Sequence, residues 1–123
     1  MKKIIFATGN QDKMREVREI MSDLDAEILS MGEAGIQIDI VEDGVTFQEN
    51  ARIKAAAVAR GLKGEEAVVL ADDSGLEVDA LNREPGIYSA RYLGEGTPYE
   101  VKNQTILSRL EGVPKEGRTA RFV

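Results

Sequence analysis

Two adjacent carboxylates, a hydroxyl and a glycine, Asp72-Asp73-Ser74-Gly75, follow directly on the apolar run Ala67-Val68-Val69-Leu70-Ala71. Paired carboxylates at the mouth of a buried strand suit a hard divalent cation, and a carboxylate beside such a cation can take a proton from water. Asp, Ser and Gly are also the ordinary residues of a polar turn. By themselves these four residues leave both readings open.

Two other stretches could join them. Thr8-Gly9-Asn10-Gln11-Asp12-Lys13 follows the apolar run Ile4-Ile5-Phe6-Ala7, and Met14, Val17, Ile20, Met21 and Leu24 then recur at helical spacing. Strand, short loop and helix in that order aim backbone N–H groups and the positive end of a helix dipole at one point, which suits a phosphate. Lys13 adds a point charge, while Thr8 and Asn10 add side-chain contacts. A capped turn is the plainer reading of Thr-Gly-Asn, and neither the P-loop nor the dinucleotide glycine pattern is present. Further on, the acidic turn Glu42-Asp43-Gly44 leads to Thr46-Phe47-Gln48-Glu49, a capping box that starts a helix with the stripe Phe47, Ala51, Ala55, Val58 and Leu62. Asn50 and Lys54 share one face of that helix, and taken singly Lys54 reads as a solvated surface lysine.

Composition narrows the chemistry. The chain has 123 residues, no Cys and no His, so thiolate and imidazole catalysis and most zinc sites are excluded. Carboxylates, lysines, arginines and hydroxyls must carry any reaction. The absence of Cys makes a reducing, cytoplasmic setting the expectation, and Met1-Lys2-Lys3 does not open a signal peptide. A net charge of −6 argues against a general nucleic-acid surface, and no apolar run is long enough for a membrane span. A small anionic substrate stays compatible where basic groups converge or a divalent cation bridges.

The elements that must position these groups follow from periodicity. Strands are expected over 2–7, 27–31, 67–71, 76–80 and 119–123, with 36–41 a half-exposed strand or an extended loop. Helices are expected from about residue 10, from Thr46, and from a second capping box at Thr97-Pro98-Tyr99-Glu100, the last burying Ile106, Leu107 and Leu110. Asn82 to Gly86 reads as a turn. Tyr88, Arg91 and Tyr92 after it suit a substrate clamp, an interface patch or plain packing. This order predicts an α/β fold with a mixed sheet and flanking helices, in which sites form at the carboxyl ends of strands. The loops after the strands at 2–7 and 67–71 would then meet in one crevice, flanked by Glu42 and Lys54. The final strand begins at the end of the chain, so residues 1–123 read as one incomplete domain with an open sheet edge at Phe122-Val123.

Three long motifs in order carry a family resemblance. Thr8-Gly9-Asn10 with Lys13 and Glu16, Glu42 to Ala51 with Lys54-Ala55, and Ala71 to Leu76 through Pro85-Gly86-Ile87-Tyr88-Ser89-Ala90-Arg91-Tyr92 closely resemble the inosine triphosphate pyrophosphatase family, whose bacterial members act on dITP and XTP. The resemblance spans essentially the whole chain. It implies that Thr8, Gly9, Asn10, Gln11, Asp12 and Lys13 bind the triphosphate, that Glu42 and Asp73 hold Mg2+ with Asp72 in support, and that Asp73 accepts a proton. Ser74 and Lys54 would contact substrate. It further implies hydrolysis of ITP, dITP or XTP to the monophosphate and pyrophosphate, by a homodimer. Family members continue into a Phe-Gly-Tyr-Asp segment, a further lysine and a Ser-His-Arg segment, none of which occurs here. A fragment that binds nucleotide or a partner subunit without turnover is the alternative expectation.

Overall fold

The computed structural model describes residues 2–62, 64, 66–94 and 96–123, so Met1 of the basic start lies outside it. The chain divides into two compact units that meet between Asp72 and Asp73 in the sequence. Each has its own three-stranded sheet and its own core.

The first unit is parallel. Strand β1 (Lys2–Phe6) lies between β2 (Ala26–Ser30) and β3 (Val68–Leu70), with Ile4 opposite both Ile28 and Val68. A central parallel strand is covered on both faces, which is why Ile4, Ile5 and Phe6 are all buried and read as an unbroken apolar run. Helix α1 (Gln11–Ile20) connects β1 to β2, and α2 (Phe47–Arg60) precedes β3. Ile5, Ala7, Ile36 and the fully buried Val58 form the core. Residues 36–44 contain no strand, so of the two expectations for 36–41 the extended loop is the correct one. Ile36 is nevertheless buried and anchors that loop to the core.

The helical stripe expected after Lys13 is too long. Helix α1 ends at Ile20, and Ile20 and Leu24 are 78% and 50% exposed. Only Met14 is buried in α1. The α1–β2 pairing is instead fixed by polar contacts that the apolar pattern does not reveal. Arg18 donates to the Ile28 carbonyl and to Glu33 Oε1 at 2.6 Å, while Glu33 Oε1 accepts from Ser30 N–H and Ser30 Oγ accepts from Glu33 N–H. The Ser30 backbone donor, followed by the Arg18 guanidinium, holds the Glu33 carboxyl below the usual glutamate range. A carboxylate with a lowered pKa contributes stability at neutral pH that disappears as pH falls through its folded-state value. The thermal midpoint of the protein should therefore exceed that of Glu33→Gln at pH 6–7, and the gap should close below about pH 4. Parallel midpoint measurements across that range check this.

The second unit is antiparallel. Strand β4 (Leu76–Val78) pairs with β5 (Glu84–Pro85) on one side and β6 (Ala120–Phe122) on the other. Part of the expected Asn82–Gly86 turn is thus a short strand. The segment expected as a strand over 76–80 stops at Val78 and continues as a 3-10 turn over Asp79–Leu81. A longer 3-10 helix over Gly86–Arg91, which periodicity did not indicate, leads toward α3 (Tyr99–Arg109). Val78, Leu81, Ile106 and Leu110 form this unit's core. Leu107, expected to be buried with them, is 61% exposed, whereas Lys102 is 5% exposed. Lys102 is accommodated because Nζ donates to the Ser89 and Ala90 carbonyls at 3.2 and 2.8 Å and its ammonium lies 4.7 Å from the Tyr99 ring centre.

The second capping box does not form. Thr97 Oγ1 donates back to the Leu93 and Gly94 carbonyls at 3.0 and 2.9 Å, and no side chain caps α3. Its hydroxyl satisfies the preceding turn rather than the helix. The first box forms with a shift: Thr46 Oγ1 accepts from Glu49 N–H as expected, but the Glu49 carboxylate reaches the Val45 N–H at 2.8 Å. The fold class is as expected, α/β with both parallel and antiparallel strands and flanking helices.

Candidate active site

Register explains why two of the three polar stretches meet. In the parallel pair of β1 and β3, Phe6 lies opposite Leu70. The Ala7 N–H extends this pairing to the Leu70 carbonyl at 2.8 Å. Two residues beyond each strand the chain therefore reaches Thr8 on one side and Asp72 on the other, at the carboxyl edge of the sheet.

From Thr8 the chain turns into α1 by local side-chain bonds. Thr8 Oγ1 accepts from Asn10 N–H at 3.1 Å, and Asn10 Oδ1 accepts from Asp12 N–H and Lys13 N–H at 3.0 and 3.2 Å. Asn10 is thus the N-cap, with extended backbone angles that suit the role. The expectation that this loop aims its N–H groups at one point needs correction at four positions, since Asn10, Asp12 and Lys13 each donate to a loop side chain and Thr8 donates to the Phe6 carbonyl. Gly9 stands in open space, with no atom near where a Cβ would lie. Gln11 is exposed, and Asp12 faces Arg15 at 3.2 Å on open surface. Replacing Asn10 with Ala should cost about 1 kcal/mol through loss of the cap, measured as a shift in urea-unfolding free energy.

Two ammonium groups converge on Asp72. Lys13 Nζ donates to Asp72 Oδ1 at 2.9 Å, and Lys54 Nζ donates to the Asp72 carbonyl at 3.1 Å. Lys54 also pairs with Glu42 Oε1 at 2.9 Å. Lys54 is not the solvated lysine of the plainer reading, because its side chain is only 17% exposed. Helix α2 places it there, and the turn carrying Glu42 is held by the same helix. Asn50, 1% exposed, accepts from the Gly44 N–H through Oδ1 at 2.9 Å. A Cβ on Gly44 would lie 2.7 Å from Glu49 Cβ and 2.8 Å from Asn50 Oδ1, so this turn has room for glycine alone. Asn50 was visible in the sequence as a neighbour of Lys54, but only its burial identifies it as a support for Glu42.

Within the first unit the structure therefore brings together Lys13, Lys54, Glu42 and Asp72. Asp73 and Ser74 belong to the second unit and are joined to Asp72 by the chain itself. Their turn is fixed from within that unit. Ser89 Oγ donates to the Gly86 carbonyl at 2.6 Å and accepts from Leu76 N–H at 2.9 Å, and Gly75 exchanges two 2.9 Å backbone bonds with Val123. Tyr88 is 55% exposed, with the Arg91 guanidinium 5.4 Å from its ring centre.

Among the described residues no three acidic side chains are gathered in the manner of a finished cation cage. Glu42 and Asp72 nevertheless offer oxygen donors only, in a chain without Cys or His, and that donor chemistry fits Mg2+ rather than zinc.

A parallel α/β unit with lysines and carboxylates at the carboxyl edge of its sheet belongs to the broad class of α/β proteins whose sites lie at strand ends. More narrowly, the Ham1 family model matches residues 4–123, and the chain belongs to that family. It is 49% identical over 126 residues to a dITP/XTP pyrophosphatase of Clostridium perfringens, covering 100% of this chain and 62% of that protein. A dITP/XTP pyrophosphatase of Vibrio parahaemolyticus is 49% identical over 124 residues, covering 99% and 59%. Among solved structures, the Staphylococcus aureus Ham1 protein matches with a TM-score of 0.80 at 41% identity, over 98% of this chain and 59% of that one. A HAM1 protein from Coxiella burnetii matches with a TM-score of 0.84 at 38% identity, over 99% and 60%. The chain thus spans less than two thirds of the length of these relatives. No helix among the described residues is long and apolar enough to cross a membrane.

Proposed function

We propose that the protein hydrolyses deaminated purine nucleoside triphosphates, dITP, XTP and ITP, to the monophosphate and pyrophosphate, with Mg2+ as cofactor. The observation that carries this reading is the convergence of Lys13 and Lys54 on Asp72, with Glu42 paired to Lys54 beside them. Two ammoniums at the carboxyl edge of a parallel sheet suit a polyphosphate, and the carboxylates beside them suit the cation that accompanies it. The activity for which the Clostridium and Vibrio relatives are named supports the substrate class.

On this reading Glu42 and Asp73 hold the cation, with Asp72 in support. When bound, Mg2+ would neutralise charge developing on the phosphoryl oxygens and on the pyrophosphate leaving group. Lys13 and Lys54 bind phosphate oxygens, with Thr8 to Asp12 shaping the loop around them and Ser74 contacting substrate. Asp73 takes a proton from the attacking water, whose oxygen forms a bond to the α-phosphorus as the bond to the bridging oxygen breaks. Pyrophosphate leaves with that bridging oxygen. The setting proposed is cytoplasmic, as expected of a chain without Cys, and the assembly proposed is a homodimer, as the resemblance of the sequence motifs implies.

Hydrolysis of dITP in 18O-labelled water tests the reaction. Label should appear in the monophosphate. Label in pyrophosphate, or release of orthophosphate and dIDP, would contradict attack at the α-phosphorus.

A further inference from the structure

We propose that Lys102 is a positioning residue for the Asp73-Ser74 turn, acting through Ser89, and that its charge rather than its bulk performs this role. The inference deepens the function proposed above and rests on it for the effect on turnover, while the relay itself lies within the second unit. Lys102 is 5% exposed. Its ammonium meets the Ser89 and Ala90 carbonyls at 3.2 and 2.8 Å and the Tyr99 ring centre at 4.7 Å, with no carboxylate among the described residues in ion-pair contact. A methionine would fill the same space without the cost of taking an ammonium out of water, so the charge calls for an explanation beyond packing.

The explanation lies in what the two carbonyls belong to. They stand in the last turn of the 3-10 helix over Gly86–Arg91. Drawing both onto one ammonium fixes the Ser89 backbone, and the Ser89 hydroxyl then donates to the Gly86 carbonyl at 2.6 Å and accepts from Leu76 N–H at 2.9 Å. Leu76 follows directly on Asp73-Ser74-Gly75. The turn therefore has two ties: Gly75 to Val123 through backbone bonds, and Leu76 to Lys102 through Ser89. Removing the ammonium deprives both carbonyls of a charged donor, loosens Ser89 and frees the Leu76 N–H. Asp73 and Ser74 then spread over more orientations, which slows a step that needs a carboxylate aimed at one water.

The chain has no Cys, so Lys102→Cys can be alkylated at that position alone, in denaturant before refolding, with the wild type taken through the same cycle. 2-Bromoethylamine restores an ammonium on a stem of lysine's length, and 1-bromopropane supplies the same length without the charge. Hydrogen exchange followed by NMR compares the Leu76 N–H with the Asp79 N–H, which bonds to the Thr119 carbonyl rather than to Ser89. In the propylated protein the Leu76 N–H should exchange about tenfold faster relative to Asp79 than in the wild type, and the aminoethylated protein should match the wild type. Turnover of dITP with Mg2+ should fall about tenfold in kcat, with KM within about twofold, in the propylated protein and should return in the aminoethylated one. Equal acceleration of both amides, or the same exchange ratio in the two alkylated forms, makes Lys102 a support of the fold alone and overturns the proposal. If the propylated protein does not fold, Tyr99→Leu decides, because the ring is 72% exposed and its loss opens the ammonium to water with little change in packing. The Leu76 N–H should then exchange about threefold faster relative to Asp79, and an unchanged ratio overturns the proposal. A wild type that turns over no dITP overturns the proposed function, and the exchange ratio still decides the relay.

Discussion

Asp73→Asn is expected to lower the rate of pyrophosphate release from dITP by a factor of about 10² to 10⁴, the range that a positioned general base contributes. The substitution keeps the size of the side chain and removes its charge and its basicity. On the proposed reading Asp73 both holds the cation and accepts the proton, so the loss should not be recovered by raising the Mg2+ concentration. Asp72→Asn offers the contrast. Asp72 is assigned a supporting part, and its carboxylate pairs with Lys13, so its loss should raise the Mg2+ requirement while leaving a larger residual rate at saturation. Steady-state rates across a magnesium titration separate the two. Retention of full activity by Asp73→Asn would remove it from the chemistry.

Gly75→Ala is expected to be the most destabilising small substitution in the second unit. A Cβ at this position would lie 2.2 Å from the Gly86 carbonyl oxygen and 2.6 Å from Ser89 Oγ. The obstacle is backbone, and it cannot rotate aside: Gly86 is tied by Ser89 Oγ, and Gly75 is tied to Val123 through both its N–H and its carbonyl. The restriction is one of space. The expected cost is about 3 kcal/mol, at the upper end for an overpacked site, read as a shift in the urea midpoint at unchanged slope. Because the affected turn carries Asp73 and Ser74, any residual folded protein should also lose turnover. A stable Gly75→Ala protein would show that the Gly75–Gly86 approach is not a fixed feature.

The parts of the fold that were legible in the sequence share a physical origin. Strand β1 was visible because a central parallel strand is apolar on both faces, and α2 because a Thr46 cap and a long helix leave a strong local pattern. Elements held by non-local polar contacts were not legible. Nothing in the pattern of α1 announces that Arg18 and Glu33 lock it to β2, or that Lys102 rather than Leu107 turns into the core of the second unit. The capping box at Thr97 illustrates the converse, a local signal whose hydroxyl found a better partner behind it.

Much the same division holds for the site. Residue types and their places after strands pointed to Thr8–Lys13 and Asp72, and parallel register brings Lys13 to Asp72. That Lys54 bridges Glu42 and the Asp72 carbonyl required three-dimensional packing, since helical spacing gives a face but not what the face meets. The supporting roles of Asn50 and Ser89 lay beyond residue type altogether, because both side chains act on backbone groups distant in sequence or on turns with no marked pattern.

The most direct test is pyrophosphate release from dITP, XTP and ATP, with and without Mg2+, by the 123-residue chain and by a protein extended at its carboxyl end. The expected result is pyrophosphate equimolar with monophosphate, only when Mg2+ is present, and faster from dITP and XTP than from ATP. Release that is indifferent to Mg2+, or no release by either protein despite metal-dependent nucleotide binding, would contradict it.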